Sequence, residues 1–177
     1  MKHLALLRGI NVSGHNMIKM DLLKIILESI HLQNVETYIQ SGNIFFDSEE
    51  ENPQLIGFII QQEIFKQLGF DVPVIVLNKS DLVKCLTQNP FFNEKNIDVK
   101  KLYVAFISKE LNNNALNDLK VSQFKPDVAY VDGCRIYMKL ETGAGNTRLT
   151  QKYIEKKLNV FATSRNWNTI NKLLEMY

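Results

Sequence analysis

Val35-Glu36-Thr37-Tyr38-Ile39-Gln40-Ser41-Gly42-Asn43-Ile44-Phe45-Phe46 is β-branched and alternating, breaks on three turn formers, and resumes as an apolar, aromatic run. Two strand-like runs around Ser41-Gly42-Asn43 read as a hairpin. On its amino side, residues 4–7 are a short apolar run suited to a buried strand. Met20, Leu23, Leu27 and Ile30 then recur at helical spacing within residues 19–32. On its carboxyl side, Asn52-Pro53 supplies a cap and a first-turn proline for a helix that Gly69 stops, and residues 72–77 read as a fourth strand. Ser80 is placed to cap one more helix over 81–88, which Pro90 ends. The order β-α-β-β-α-β is that of a split βαβ, ferredoxin-like unit.

The second half repeats the order. Residues 102–107 read as a strand, 111–121 as a helix, and 128–131 with 135–138 as a hairpin around Asp132-Gly133. Residues 147–158 read as a helix, 160–162 as a short strand and 166–176 as a final helix. The expected fold class is therefore α+β, with two consecutive ferredoxin-like subdomains (βαββαβ plus an extra helix) built on antiparallel sheets. Residues 1–90 form the first, 91–100 a joint, and 101–177 the second.

A chain of 177 residues with 45% hydrophobic content can bury a core or two, which excludes disorder. A net charge of +2 sets up no broad field, so an electrostatic case for nucleic acid or a membrane surface is missing. The two cysteines lack metal-ligand spacing and fit a reducing, cytoplasmic setting. Arg8 interrupts the first apolar run too early for a signal peptide, and no run approaches ~18 apolar residues, so no membrane is expected.

Connectivity then places the polar motifs. In a split βαβ unit the first and second strands run parallel with the third between them, so the first loop and the hairpin turn leave the sheet at one edge. Arg8, Asn11 and Gly14 of the loop that begins Leu6-Leu7-Arg8-Gly9-Ile10-Asn11 are thereby expected beside Ser41, Gly42 and Asn43. In the second half the same rule sets Gly143, Gly145, Asn146 and Arg148 near Ser164, Arg165 and Asn166, about two strand spacings or 10 Å away. Each segment is read as opening a helix, whose free N–H groups favour an anion. Only four of the basic residues are Arg. Three of them, Arg8, Arg148 and Arg165, fall in or beside these motifs, where a planar guanidinium suits a carboxylate or phosphate. Gly143-x-Gly145 lacks the spacing of a dinucleotide or P-loop fingerprint. His15 reads as a surface residue, Cys85 as core, and Trp167 as packing its helix through Ile170 and Leu174.

The motifs Leu6-Leu7-Arg8-Gly9-Ile10-Asn11-Val12, Thr37-Tyr38-Ile39-Gln40-Ser41-Gly42-Asn43 and Ala162-Thr163-Ser164-Arg165-Asn166-Trp167-Asn168-Thr169 closely resemble a bacterial family, domain of unknown function sixteen-ninety-seven. The resemblance runs nearly end to end. It implies an α+β fold with two ferredoxin-like parts and assigns no activity, substrate or cofactor.

The leading functional expectation is a binding protein for an anionic or phosphate-bearing small ligand at these loop clusters. An acylphosphatase-like hydrolase is the enzymatic alternative, by fold analogy alone, with Arg8 on phosphoryl oxygens and Asn11 or Asn43 positioning water. No catalytic constellation or metal cluster is recognisable, so whether the chain is an enzyme stays open and no cofactor is expected. RNA binding on a sheet face ranks last, because adjacent Phe45 and Phe46 point to opposite faces. A homodimer through a sheet or the terminal helix is compatible with the sequence.

Overall fold

The computed structural model describes residues 1–12, 14–111 and 114–177. Ser13 of the opening loop, and Asn112 and Asn113 of the helix expected at 111–121, lie outside the described residues. The first half runs β1 (Lys2–Leu7), α1 (Met20–Glu28), β2 (Gln33–Tyr38), β3 (Asn43–Asp47), α2 (Pro53–Leu68), β4 (Val74–Leu77) and α3 (Lys79–Thr87). The second runs β5 (Leu102–Ile107), α4 (Ala115–Leu119), β6 (Val128–Asp132), β7 (Arg135–Lys139), α5 (Gln151–Leu158), β8 (Ala162–Asn166) and α6 (Trp167–Glu175). The sheets have the orders β2-β3-β1-β4 and β6-β7-β5-β8, with every neighbouring pair antiparallel. This is an α+β chain of two consecutive ferredoxin-like subdomains. Its compact units are Met1–Asp81 with Tyr177, and Leu82–Met176.

Each core lies between a sheet and its own helices. In the first unit Ala5, Leu7, Ile44 and Phe46 project from one sheet face onto Leu23, Ile26 and Leu27 of α1 and onto Ile56, Ile60 and Ile64 of α2. Each of the buried Leu, Ile and Phe side chains is worth roughly 1.5–3 kcal/mol of transfer free energy. Gly57 lets α2 settle on β4: a Cβ there would come 3.1 Å from the Val74 carbonyl oxygen. In the second unit Ala105, Ile107, Ile136 and Met138 face Leu119, Ile154 and Leu158.

Three local expectations are corrected. The last strand is Ala162–Asn166 rather than 160–162, so Thr163, Ser164 and Arg165 lie in a sheet and not in a helix-opening loop. Helix α4 is only five residues long and is followed by a 3₁₀ turn at Val121–Phe124. Asn78, not Ser80, caps α3: its Oδ1 accepts from the Asp81 N–H at 3.1 Å while Asp81 Oδ2 accepts from the Asn78 N–H at 2.9 Å. That reciprocal pair satisfies end groups a lone serine would leave open.

Candidate functional site

The first edge is built on one asparagine. Asn11 has a left-handed backbone, φ 55°, a conformation asparagine tolerates better than most residues. Its Nδ2 donates to the Ile18 and Gln40 carbonyl oxygens, both at 3.0 Å, and its Oδ1 accepts from the Ile18 N–H at 2.8 Å. One side chain thus closes the β1–α1 loop on itself and pins it to the β2–β3 turn. The turn meets β1 directly, since the Leu7 N–H donates to the Gly42 carbonyl at 2.8 Å. Asn43 is fully buried and donates to the Tyr38 carbonyl and the Ser41 hydroxyl, each at 3.0 Å. Gly14 turns the exposed loop tip, where Val12 and His15 form an isolated bridge. The Arg8 main-chain N–H donates to the Pro73 carbonyl at 3.0 Å. Connectivity therefore brings Asn11 to Gln40 and Leu7 to Gly42, so that the loop and the turn are clamped together. Both Asn11 amide donors are engaged, and its Oδ1 accepts one bond.

A surface cavity of about 310 Å³ opens beside the clamp, lined by Asn11, Met17, Ile18, Lys19, Met20 and Gln40. Lys19 is the N-cap of α1, and its side chain makes no cap hydrogen bond. Lys19 and Met20, at the start of α1, both line the cavity, and Lys19 is exposed. Lys19 and Met17 were not singled out in the sequence, where neither sits in a recognisable motif.

The second edge is organised by a residue absent from any motif. Asp127 is buried and accepts from the Thr142 N–H at 2.9 Å, the Thr142 hydroxyl at 2.7 Å and the Thr147 hydroxyl at 2.6 Å. Burial alone pushes its pKa up, but these bonds outweigh burial and hold the carboxyl below its usual range. They hold the Gly143-Ala144-Gly145-Asn146 loop as a turn, with the Asn146 N–H donating to the Gly143 carbonyl at 3.0 Å. Arg148 lies over the Phe124 ring, 5.7 Å from its centroid, on the helix-covered side of the sheet.

Arg165 pairs in register with Val104, and Ser164 with Ala105. Since Ala105 belongs to the helix-side core, Arg165 projects from the opposite face. Its guanidinium is buried, donates to the Thr163 hydroxyl at 2.7 Å and the Ser164 carbonyl at 2.9 Å, and is lowered by desolvation to about 10. Asn166 caps α6, accepting from the Thr169 N–H at 2.8 Å. Arg148 and Arg165 stand on opposite faces of one sheet, so the arrangement does not converge them on one ligand.

Elsewhere in the first unit, a cavity of about 410 Å³ is lined by Met1, Ile30, His31, Leu32, Gln33, Asp47, Ser48, Glu49 and Glu50. Its three carboxylates disfavour an anion. Phe45 and Phe46 are both fully buried, which removes them as a stacking platform for bases. Among the described residues no group of three or more His, Cys, Asp or Glu is placed to hold a metal, and no helix is long and apolar enough to cross a membrane.

These features define a class: a tandem ferredoxin-like protein whose sharpest motif is a loop clamp beside a small open cavity. The chain belongs to the family described as Protein of unknown function (DUF1697), which matches residues 1–137. It is similar to the solved structure of the conserved bacterial protein SP0830 from Streptococcus pneumoniae. The two are 26% identical with a TM-score of 0.71, over 99% of this chain and 97% of that one. No curated protein matches it.

Proposed function

We propose that the protein is a cytoplasmic binding module that takes a small carboxylate- or phosphate-bearing ligand in the cavity beside the Asn11 clamp. The observation that carries this reading is the start of α1. A nine-residue helix begins at the cavity wall, and its N-cap residue, Lys19, lines the same opening without making a side-chain cap bond. The helix dipole favours negative charge there, and the Lys19 charge adds to that field. Ile18, Met17 and Met20 supply apolar walls suited to the carbon skeleton of a small acid. Asn11 preorganises the site, since its three bonds fix the wall before any ligand arrives.

Asp21 occupies the first turn and answers the same dipole. It gives the test a sign. Inorganic phosphate added to millimolar concentration is expected to shift the amide resonances of Asn11, Ile18, Lys19, Met20 and Gln40 in a saturable way. Lys19→Ala weakens that binding several-fold, and Asp21→Asn tightens it by removing a competing charge. Shifts confined to other regions, or a response indifferent to both substitutions, would overturn the reading.

A further inference from the structure

Helix α2 is apolar on two sides. Its inner side buries Ile56, Gly57, Ile60 and Ile64. Its outer side carries Leu55, Phe58, Ile59 and Phe65, which are 42%, 58%, 40% and 52% exposed. Single exposed apolar residues are ordinary, but four on one stripe of one helix are not. Positions 55, 58, 62 and 65 follow the 3-4-3 spacing of a coiled-coil seam, with Gln62 as its one polar member.

We propose that this stripe is a homodimer interface, in which two copies of the chain pack α2 against α2 in antiparallel fashion across a two-fold axis. The stripe is its own complement. An axis midway between Phe58 and Phe65 sets Phe58 of each copy against Phe65 of the other and places the two Gln62 side chains together. There each amide has both a donor and an acceptor for its mate. Lys66, the one charge on the stripe, is paired with Glu63 at 3.2 Å and lies to one side of that axis, so like charges do not meet.

The area agrees with a modest dimer. At roughly 170–200 Å² for each whole side chain, the four exposed fractions leave about 350 Å² of apolar surface per copy. In interfaces about 60% apolar, that corresponds to about 600 Å² per partner, the lower end of specific pairs. A single polar residue at the centre of the seam is also the usual device for fixing register.

Sedimentation velocity from about 5 to 500 µM tests the proposal, the range suiting an interface of this size. The weight-average mass is expected to rise from 20.4 kDa toward twice that value. Phe58→Glu combined with Phe65→Glu is expected to stay at the monomer mass with an unchanged far-ultraviolet circular dichroism spectrum. Because Cys134 is exposed, a second arm uses the full chain with Cys134→Ser and Gln62→Cys. Mild oxidation should crosslink it to a disulfide dimer, and a control carrying Lys152→Cys instead should not crosslink. This arm decides the matter if the charged pair unfolds the chain. A monomer at the highest concentration, a dimer indifferent to both glutamates, or equal crosslinking in the control would refute the α2 interface.

Discussion

Gly42 shows how a residue that looks like a ligand-binding signal comes to be fixed by packing. Its φ is 76°, and a Cβ would lie 2.6 Å from Leu7 Cβ and 2.9 Å from Ile10 Cδ1. Leu7 Cβ is held by its own main chain, and both neighbours belong to the packed first core. Gly42→Ala therefore combines left-handed strain with a clash in a packed interior, and is expected to lower unfolding free energy by about 2–4 kcal/mol in urea titrations. An effect below ~0.5 kcal/mol would show that the turn relaxes and that glycine is not required by packing. Asn11 repeats the lesson in polar form. The sequence flagged it for chemistry, yet all of its amide contacts go to the chain's own main chain. Lys19, which carries the proposed site, has no motif around it. Its importance comes from where α1 starts, and that is set by packing rather than by neighbouring residues.

At the scale of elements, the strands and helices with strong periodicity were legible because apolar spacing alone selects them; β5 matches its expected limits, and the hairpin of β2 and β3 differs only at its ends. Strand β8 was not legible. Thr163-Ser164-Arg165-Asn166 has the composition of a loop, and the side chains of Thr163 and Arg165 are buried by mutual bonding rather than by being apolar. The Asp127 turn was hidden for a related reason: three of its donors come from Thr142 and Thr147, fifteen and twenty residues away. This carboxyl has a pH signature. Its folded pKa lies below the reference 3.8, so the unfolded chain binds the extra proton. The stabilisation is fully present above that reference value and is lost as pH falls through the lower folded value. Asp127→Asn keeps the shape but replaces an ionised acceptor. It is expected to cost about 1–3 kcal/mol at neutral pH, and acid unfolding of the variant should be shallower than that of the natural chain below pH ~4. Parallel acid titrations of the two proteins would remove this account.

For the whole molecule, the notable feature is that the last residue belongs with the first unit. Tyr177 follows α6 yet clusters with Met1–Asp81. Its hydroxyl shares its one proton between the Leu77 carbonyl at 3.1 Å and the Lys2 carbonyl at 3.3 Å, so it touches both β4 and β1. Its ring meets Phe45 edge-on at 5.3 Å, and the Lys2 ammonium lies 5.9 Å from its centroid. Burial pushes the phenol's pKa well above its usual value, which keeps it a neutral donor at any physiological pH. No periodicity could have revealed this, because a single terminal residue has no pattern to belong to. Removing only the hydroxyl, in Tyr177→Phe, is expected to cost about 1 kcal/mol; Tyr177→Ala also loses the ring contact and should cost about 2–4 kcal/mol. Hydrogen exchange distinguishes a local effect from a general one. In Tyr177→Ala the amides of Lys2–Leu7 and Val74–Leu77 should lose protection, while those of β6 and β7, which belong to the second unit, keep theirs. Uniform loss across both sheets would mean that the residue stabilises the chain by some route other than closing the β1–β4 pair.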